Sequence, residues 1–215
     1  MTEKEKKDIF KFDEDAAIND FFEIVPKSVL KKIVDEFFIK QSYIHGTPHW
    51  ARVFYYGHYL ADLTGMDKEN AAFFSIFHDS KRFNDDDDPE HGQRGAEFFK
   101  TFDKIINIKP EQKEIIYEAC SVHHYLKQSD SLEVGMCLDA DRLDLWRVGI
   151  IPENEYLHTL QAKSEHMKSF TLSFTENNEI ITKLSDKIIR SIYDIEKDTH
   201  NNASLLNKIK HKLGG

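Results

Sequence analysis

Residues 46–65 read GTPHWARVFYYGHYLADLTG, and this stretch decides the fold class. Thr47 is a favourable N-cap residue, and Pro48 suits the first turn of a helix, where its missing N–H is not needed. Gly65 provides a natural helix end, because glycine readily adopts the left-handed conformation found there. The sequence therefore predicts a long helix that begins at Thr47 and runs to about Thr64.

Helical patterns continue on both sides of this stretch. Apolar side chains recur with helical spacing over residues 18–25 and again over residues 29–37. Further helices are predicted to start at Asp67, at the Asp88-Pro89 pair and at Pro110, and to end near Asp79, Phe102 and Tyr125.

The C-terminal third carries fewer signals. Residues 134–138 fit a short strand, a helix or an extended linker, and we favour helix or linker. Asp139 is expected to cap a helix to about Trp146, and residues 153–170 and 185–212 predict two more helices. No segment alternates between apolar and polar residues over any length, so a large sheet is improbable and the predicted fold class is all-α.

Composition agrees with one helical domain over residues 1–215. Apolar residues make up 40 % of the 215, and there are only 9 Gly and 5 Pro, so long regular elements are expected. We place the core at about 30–165 and expect residues 1–12 to be flexible. The helix at 185–212 is predicted to pack on the core, with a second subunit in a homodimer as the alternative.

The formal charge of −9 disfavours binding to nucleic-acid polymers and anionic membranes. No run approaches the roughly 20 apolar residues of a membrane span, and the first residues lack the apolar core of a signal peptide. Cys120 and Cys137 are too few for a disulfide framework and are expected to be small buried side chains. These features predict a cytoplasmic location.

Histidine and aspartate recur beside predicted helix ends, where several helices can direct them to one centre. Imidazole and carboxylate together suit Mn, Fe, Co, Ni or Zn, and Mg when more oxygen ligands are present. We therefore predict one or two divalent metal ions, of unknown identity. The candidate ligands are His49, His78, Asp79, His91, His123, His124 and Asp141, with one of the pair His123 and His124 expected to bind and His123 slightly favoured.

Three segments resemble the HD superfamily of metal-dependent phosphohydrolases: HGTPHWARV at 45–53, FHDSKRFND at 77–85 and LDADRLDLWRVGI at 138–150. The matching ligands are His49 rather than His45, then His78-Asp79, then Asp141. EHGQRGAEFF at 90–99 and SVHHYL at 121–126 resemble the places where two-metal members carry further histidines. The resemblance covers roughly residues 30–150, more weakly to about 165, and implies an HD-domain-like helical bundle with extra N- and C-terminal helices.

The resemblance implies hydrolysis of a small phosphate ester, such as a nucleotide, by metal-activated water. Asp79 would hold or bridge the metals, Arg82 would neutralise substrate charge, and His91 or His123 would assist the leaving group. His45 is either a polar residue near the site or a loop residue. Cations three residues after a candidate ligand, or next to one, would contact phosphate: Arg52, Arg82, Arg94, Lys127 and Arg142.

Two other classes of function stay open. The same set of four histidines and two aspartates resembles the di-iron oxygenases built on the same fold, and fold does not decide reaction. A non-catalytic, metal-containing module that binds a ligand is the third possibility. Iron with oxygen-dependent turnover would identify the oxygenase, and ligand binding without turnover would identify the module.

Overall fold

The computed structural model describes residues 12–40, 42, 44–176 and 178–192, with the backbone alone over 176 and 178–181. Within these residues the chain forms nine α-helices, two short 3-10 helices at Leu143–Val148 and Asn154–Tyr156, and no strand, which confirms the all-α prediction. The α-helices are α1 Glu14–Ile24, α2 Lys27–Glu36, α3 Thr47–Thr64, α4 Lys68–Phe77, α5 His91–Lys100, α6 Pro110–Val122, α7 Leu132–Arg142, α8 Glu165–Glu176 and α9 Asn178–Ile192.

Helix α3 is the centre of the fold. Every residue from Thr47 to Ala61 is buried, as expected for a helix that neighbours surround on all sides. It packs against α4, α7 and α9. Gly57 permits this closeness, because a Cβ there would lie 2.8 Å from the Cβ of Ala71 on α4. The two bounds predicted for α3 are confirmed, although Gly46 takes the cap position and Thr47 is the first helical residue.

Several other predicted bounds were wrong. Asp139 lies inside α7 rather than at a cap, because its buried carboxylate accepts the backbone N–H groups of His158 and Thr159. Helix α5 begins at His91 rather than Pro89, since the Asp88 carboxylate pairs with a side chain instead of capping the helix.

Residues 134–138 lie within α7, so of the three readings the helical one holds. Helix α8 begins at Glu165, twelve residues after the predicted start at 153. The predicted helix at 185–212 begins earlier, at Asn178, and the part beyond 192 lies outside the described residues. Helix α9 buries Ile188 and Ile189 and packs against α2 and α3.

Cys120 and Cys137 are buried and unpaired, as predicted. Along the described ranges, none of the helices has the length and apolar character needed to cross a bilayer.

Candidate metal centre

Four histidines and two aspartates converge from the ends of five helices. His49 lies in the first turn of α3, His78 and Asp79 directly follow α4, and His91 is the first residue of α5. His123 directly follows α6, and Asp141 lies in the last turn of α7. The cluster is buried, with His49 and His78 fully enclosed and 19 % of the Asp141 side chain exposed.

The first half of the cluster surrounds one carboxylate oxygen of Asp79. His49 Nε2 lies 3.5 Å from Asp79 Oδ2, 3.3 Å from Asp141 Oδ1 and 3.0 Å from His78 Nε2. His78 Nε2 lies 3.6 Å from the same Asp79 oxygen. Two histidines and two carboxylates therefore present their ligand atoms to one small space.

The second half faces the other oxygen of Asp79. His91 Nε2 lies 3.3 Å and His123 Nε2 lies 3.6 Å from Asp79 Oδ1, and the two nitrogens lie 2.8 Å apart. Asp79 therefore stands between two pairs of imidazoles. The ring centroid of the exposed His124 lies 4.8 Å from that of His91. A metal ion bound by His91 would therefore lie within reach of both His123 and His124.

Two glycines allow α5 to bring His91 into the cluster. A Cβ on Gly92 would lie 2.5 Å from the carbonyl oxygen of Cys120, and one on Gly95 would lie 2.4 Å from the carbonyl oxygen of Phe77. Real Cβ atoms essentially never come so close to another atom. The bare Cα atoms thus set the distance between α5 and the ends of α4 and α6, where the other ligands lie.

The nitrogens that face each other carry lone pairs. Each imidazole directs its Nδ1 to an oxygen that can only accept, so Nδ1 bears the hydrogen and Nε2 is free to bind a metal in the neutral ring. These acceptors are a carboxylate oxygen of Asp144 for His49 and backbone carbonyls of Phe74, Asp88 and Cys120 for His78, His91 and His123.

This donor set fits a metal. Two nitrogens bound at right angles, each about 2.1 Å from one ion, are separated by roughly 3.0 Å, close to the separations seen here. Asp79 Oδ1 is buried and, among the described residues, has no hydrogen-bond partner. A cation between the donors would satisfy this oxygen and remove the repulsion between the lone pairs.

The protonation states agree with ligand roles. Burial lowers the pKa of His78 to about 3 and that of His91 to about 4, so both rings are neutral near pH 7. Burial alone would raise the pKa of Asp79, but its electrostatic interactions with His78, His123 and His49 outweigh burial and hold that pKa well below the ordinary value. Neutral imidazole and ionised carboxylate are the forms that bind metal. His123 differs from His78 and His91, because its burial is outweighed by Asp79 and Asp141, which raise its pKa above the ordinary value.

Asp144 supports the first half of the cluster from behind, and sequence reasoning missed it. This fully buried carboxylate lies 2.7 Å from His49 Nδ1 and accepts the Arg52 Nε–H at 2.6 Å. Arg147 Nη1 lies 3.5 Å from Oδ2 of the same carboxylate. Carboxylates in this position fix the ring of a metal-binding histidine. Arg52 therefore lies on the Nδ1 side of His49, away from the Nε2 atoms of the cluster. It is not placed to contact phosphate as predicted.

Arg82 reaches the cluster itself. Its Nη1 lies 3.0 Å from His91 Nε2 and 3.5 Å from Asp79 Oδ1. The rest of the guanidinium donates to the carbonyls of Asn84 and Asp86, so the loop after α4 holds the side chain in place. Arg82, three residues after Asp79 in the chain, was predicted to lie near the metal ligands, and its guanidinium does so.

The remaining three predicted phosphate contacts have partners elsewhere. Arg94 donates to both carboxylate oxygens of Asp88 at 2.6 Å. Lys127 pairs with Glu155 at 3.0 Å on the exposed surface. Arg142 donates to backbone carbonyls. The spacing of these residues from the candidate ligands did not reveal their partners.

His45 lies at the edge of the cluster. Its ring packs edge to face against His49, and its Nδ1 lies 2.8 Å from Asp85 Oδ1. The Ser42 hydroxyl donates to the same Asp85 oxygen. Of the two roles left open by the sequence, the position supports a polar residue near the site, with Nε2 as the nitrogen that Asp85 does not engage.

Comparison with known proteins found no match among family models, curated proteins or solved structures. The helical fold and its cluster of histidine and aspartate are compatible with an HD-like fold.

Proposed function

We propose that this protein is a metal-dependent phosphohydrolase of the HD type that acts on a nucleotide or another small phosphate ester. The observation that carries the proposal is the position of Asp79, whose two oxygens face two separate pairs of imidazoles. A bound pair of metals lowers the pKa of a water molecule and clamps the attacking and leaving oxygens of a phosphoryl transfer.

The chain's own residues would then divide the work. Asp79 holds the two halves of the cluster together and orients the nucleophile between them. Arg82 offers a guanidinium beside His91, where it would neutralise the charge of the transferred phosphoryl group. With His91 and His123 in ligand positions, the assistance to the leaving group that the sequence assigned to them falls to another residue.

His45 is the best candidate for that proton transfer. Asp85 fixes the ring through Nδ1, which leaves Nε2 to exchange a proton with the alcohol oxygen of the ester. The pairing of a carboxylate with an imidazole is an arrangement that orients a general acid or base. His45 would act on the leaving group without binding the metals.

A di-iron oxygenase is the second candidate, because the donor set is also compatible with iron. Four imidazoles and two carboxylates suit iron as well as they suit other transition metals. The guanidinium of Arg82 beside the cluster weighs towards an anionic substrate and therefore towards the hydrolase.

The test uses protein freed of metal and reloaded separately with Mn, Co, Ni, Zn, Mg or ferrous iron. Release of phosphate from nucleoside monophosphates and simple phosphomonoesters is measured for the wild type, Arg82→Gln and Arg94→Gln. We expect Arg82→Gln to lower kcat by about 100- to 1,000-fold, the usual cost of removing a donor that stabilises transition-state charge.

Arg94→Gln is the matched control, because Arg94 is bound to Asp88 rather than to the cluster and its loss should leave turnover nearly unchanged. Absence of phosphate release with every metal would contradict the proposal. Oxygen consumption that requires iron would move the assignment to the oxygenase.

A further inference from the structure

An apolar pocket lies beside the end of α7, outside the cluster. Residues 142–157 line a half-open cavity of about 220 Å³ at this helix end. Two charged residues also line it, Arg142 and the exposed Glu153, while its apolar walls come from Leu145, Ile150, Ile151, Pro152, Tyr156 and Leu157.

The pocket shares its walls with the segments that carry metal ligands. Arg142, which lines the pocket, directly follows the candidate ligand Asp141 in the chain. Arg142, at the pocket edge, donates to the carbonyls of Leu126 and Lys127 in the segment that follows His123 and His124. A molecule with one end at the cluster therefore has this pocket as a neighbour.

The chemistry of the pocket suits an uncharged group. Ile150 and Ile151 are 53 % and 63 % exposed, so apolar surface in the wall is left in water. Covering such surface is favourable by about 25 cal/mol per Å². The guanidinium of Arg142 is committed to carbonyl oxygens, including that of Tyr156, which leaves it poorly suited to bind an anion.

The volume limits the size of the occupant. A cavity of roughly 150 Å³ accepts benzene, whereas pockets for drug-sized ligands span about 300–1,000 Å³. A space of about 220 Å³ therefore holds one ring and its first substituent, but not a complete nucleoside.

We infer that this pocket is a subsite for an apolar, ring-sized group on the alcohol portion of the phosphate ester. The inference rests on the proposed phosphohydrolase function and narrows its substrate class, from phosphate esters in general to those with a phenyl-sized apolar group.

The kinetic test compares benzyl phosphate with glycerol 1-phosphate. Both esters have primary alcohols as leaving groups, so their chemical reactivity is similar and a difference in kcat/KM reports binding. We expect the wild type to prefer benzyl phosphate by about 10-fold or more, as a hydrophobic pocket commonly discriminates. The double variant Ile150→Gln/Ile151→Gln should lose most of this preference and keep its activity on glycerol 1-phosphate.

Leu160→Gln is the matched control, since Leu160 is 81 % exposed and does not line the pocket. A double variant that keeps the wild-type preference, or a control that loses it equally, would overturn the inference.

A second measurement does not depend on turnover. Saturation-transfer NMR with benzyl alcohol on metal-free protein should show binding to the wild type and to Leu160→Gln but not to the double variant. Unchanged binding in the double variant would refute the pocket as the subsite. If the NMR result is as expected but no ester is hydrolysed, the proposed function fails and the pocket remains a site for apolar rings.

Discussion

Replacement of Asp144 by asparagine should weaken both the fold and the metal centre. The Asp144 carboxylate lies between the Arg52 guanidinium, at 2.6 Å from Nε, and the imidazole of His49, at 2.7 Å from Nδ1. Both Arg52 and Asp144 are buried. The change removes the negative charge and keeps the size of the side chain, so packing changes little.

Two effects of different size follow. Breaking a buried ion pair by removing the charge of one partner costs about 3–5 kcal/mol, so the free energy of unfolding of the metal-free protein should fall by roughly that amount. Loss of a carboxylate that orients a metal-binding histidine lowers metal affinity by about 10- to 100-fold. The loss of metal affinity should affect the ion bound by the half of the cluster that contains His49.

Asp139→Asn separates the two effects. Asp139 lies on α7, just before the 3-10 helix that carries Asp144, and is also fully buried, but it accepts from His158 and Thr159 rather than from a ligand. Urea unfolding of each metal-free variant gives stability, and titration of folded protein with Co²⁺ gives affinity. We expect Asp139→Asn to lose stability with unchanged affinity. If Asp144→Asn bound Co²⁺ as tightly as the wild type, the orienting role of Asp144 would be refuted.

Three further changes test other contacts. Gly95→Ala should destabilise the fold by about 1–3 kcal/mol and weaken Co²⁺ binding, because the new Cβ would press on the carbonyl of Phe77; urea unfolding and titration measure both. Burial raises the pKa of Asp88, but Arg94 outweighs it and holds the pKa below 3.8, so the ion pair stabilises the fold above that pH and is lost on acidification below it. Asp88→Asn should therefore lower the unfolding free energy at pH 7 and make it fall less steeply below about pH 4, as acid-unfolding curves would show. His45→Gln should slow hydrolysis of alkyl phosphates by about 100-fold or more and that of p-nitrophenyl phosphate much less, because the second leaving group needs no proton; equal losses on both esters would count against proton transfer.

The sequence predicted the parts of the fold that depend on local chemistry. A proline in the first turn located the start of α3 to within one residue and a closing glycine located its end, because both act through their own backbone conformations. It failed where tertiary contacts outweigh local preference. Asp139 was predicted to cap a helix, yet it lies within α7, where its carboxylate accepts hydrogen bonds from the backbone N–H groups of His158 and Thr159.

In the candidate site, too, local sequence patterns were predictive and tertiary contacts were not. The order of histidines and aspartates at helix ends was enough to predict which side chains converge. The pairing of Asp144 with Arg52 was not visible, since the two residues are 92 positions apart and the offset of Arg52 from His49 indicated a phosphate contact instead. The apolar pocket was also missed, because a continuous helix was predicted over residues 153–170, whereas only a 3-10 turn at Asn154–Tyr156 forms there before α8 begins at Glu165.

Elemental analysis of untagged protein, after incubation with Mn, Co, Ni, Zn or iron and removal of excess metal, tests whether Asp79 joins two metal sites. We expect two ions per chain in the wild type, one in His91→Ala, and none in Asp79→Ala, because both halves of the cluster share that carboxylate. No bound metal in the wild type, or a full complement in Asp79→Ala, would contradict the account.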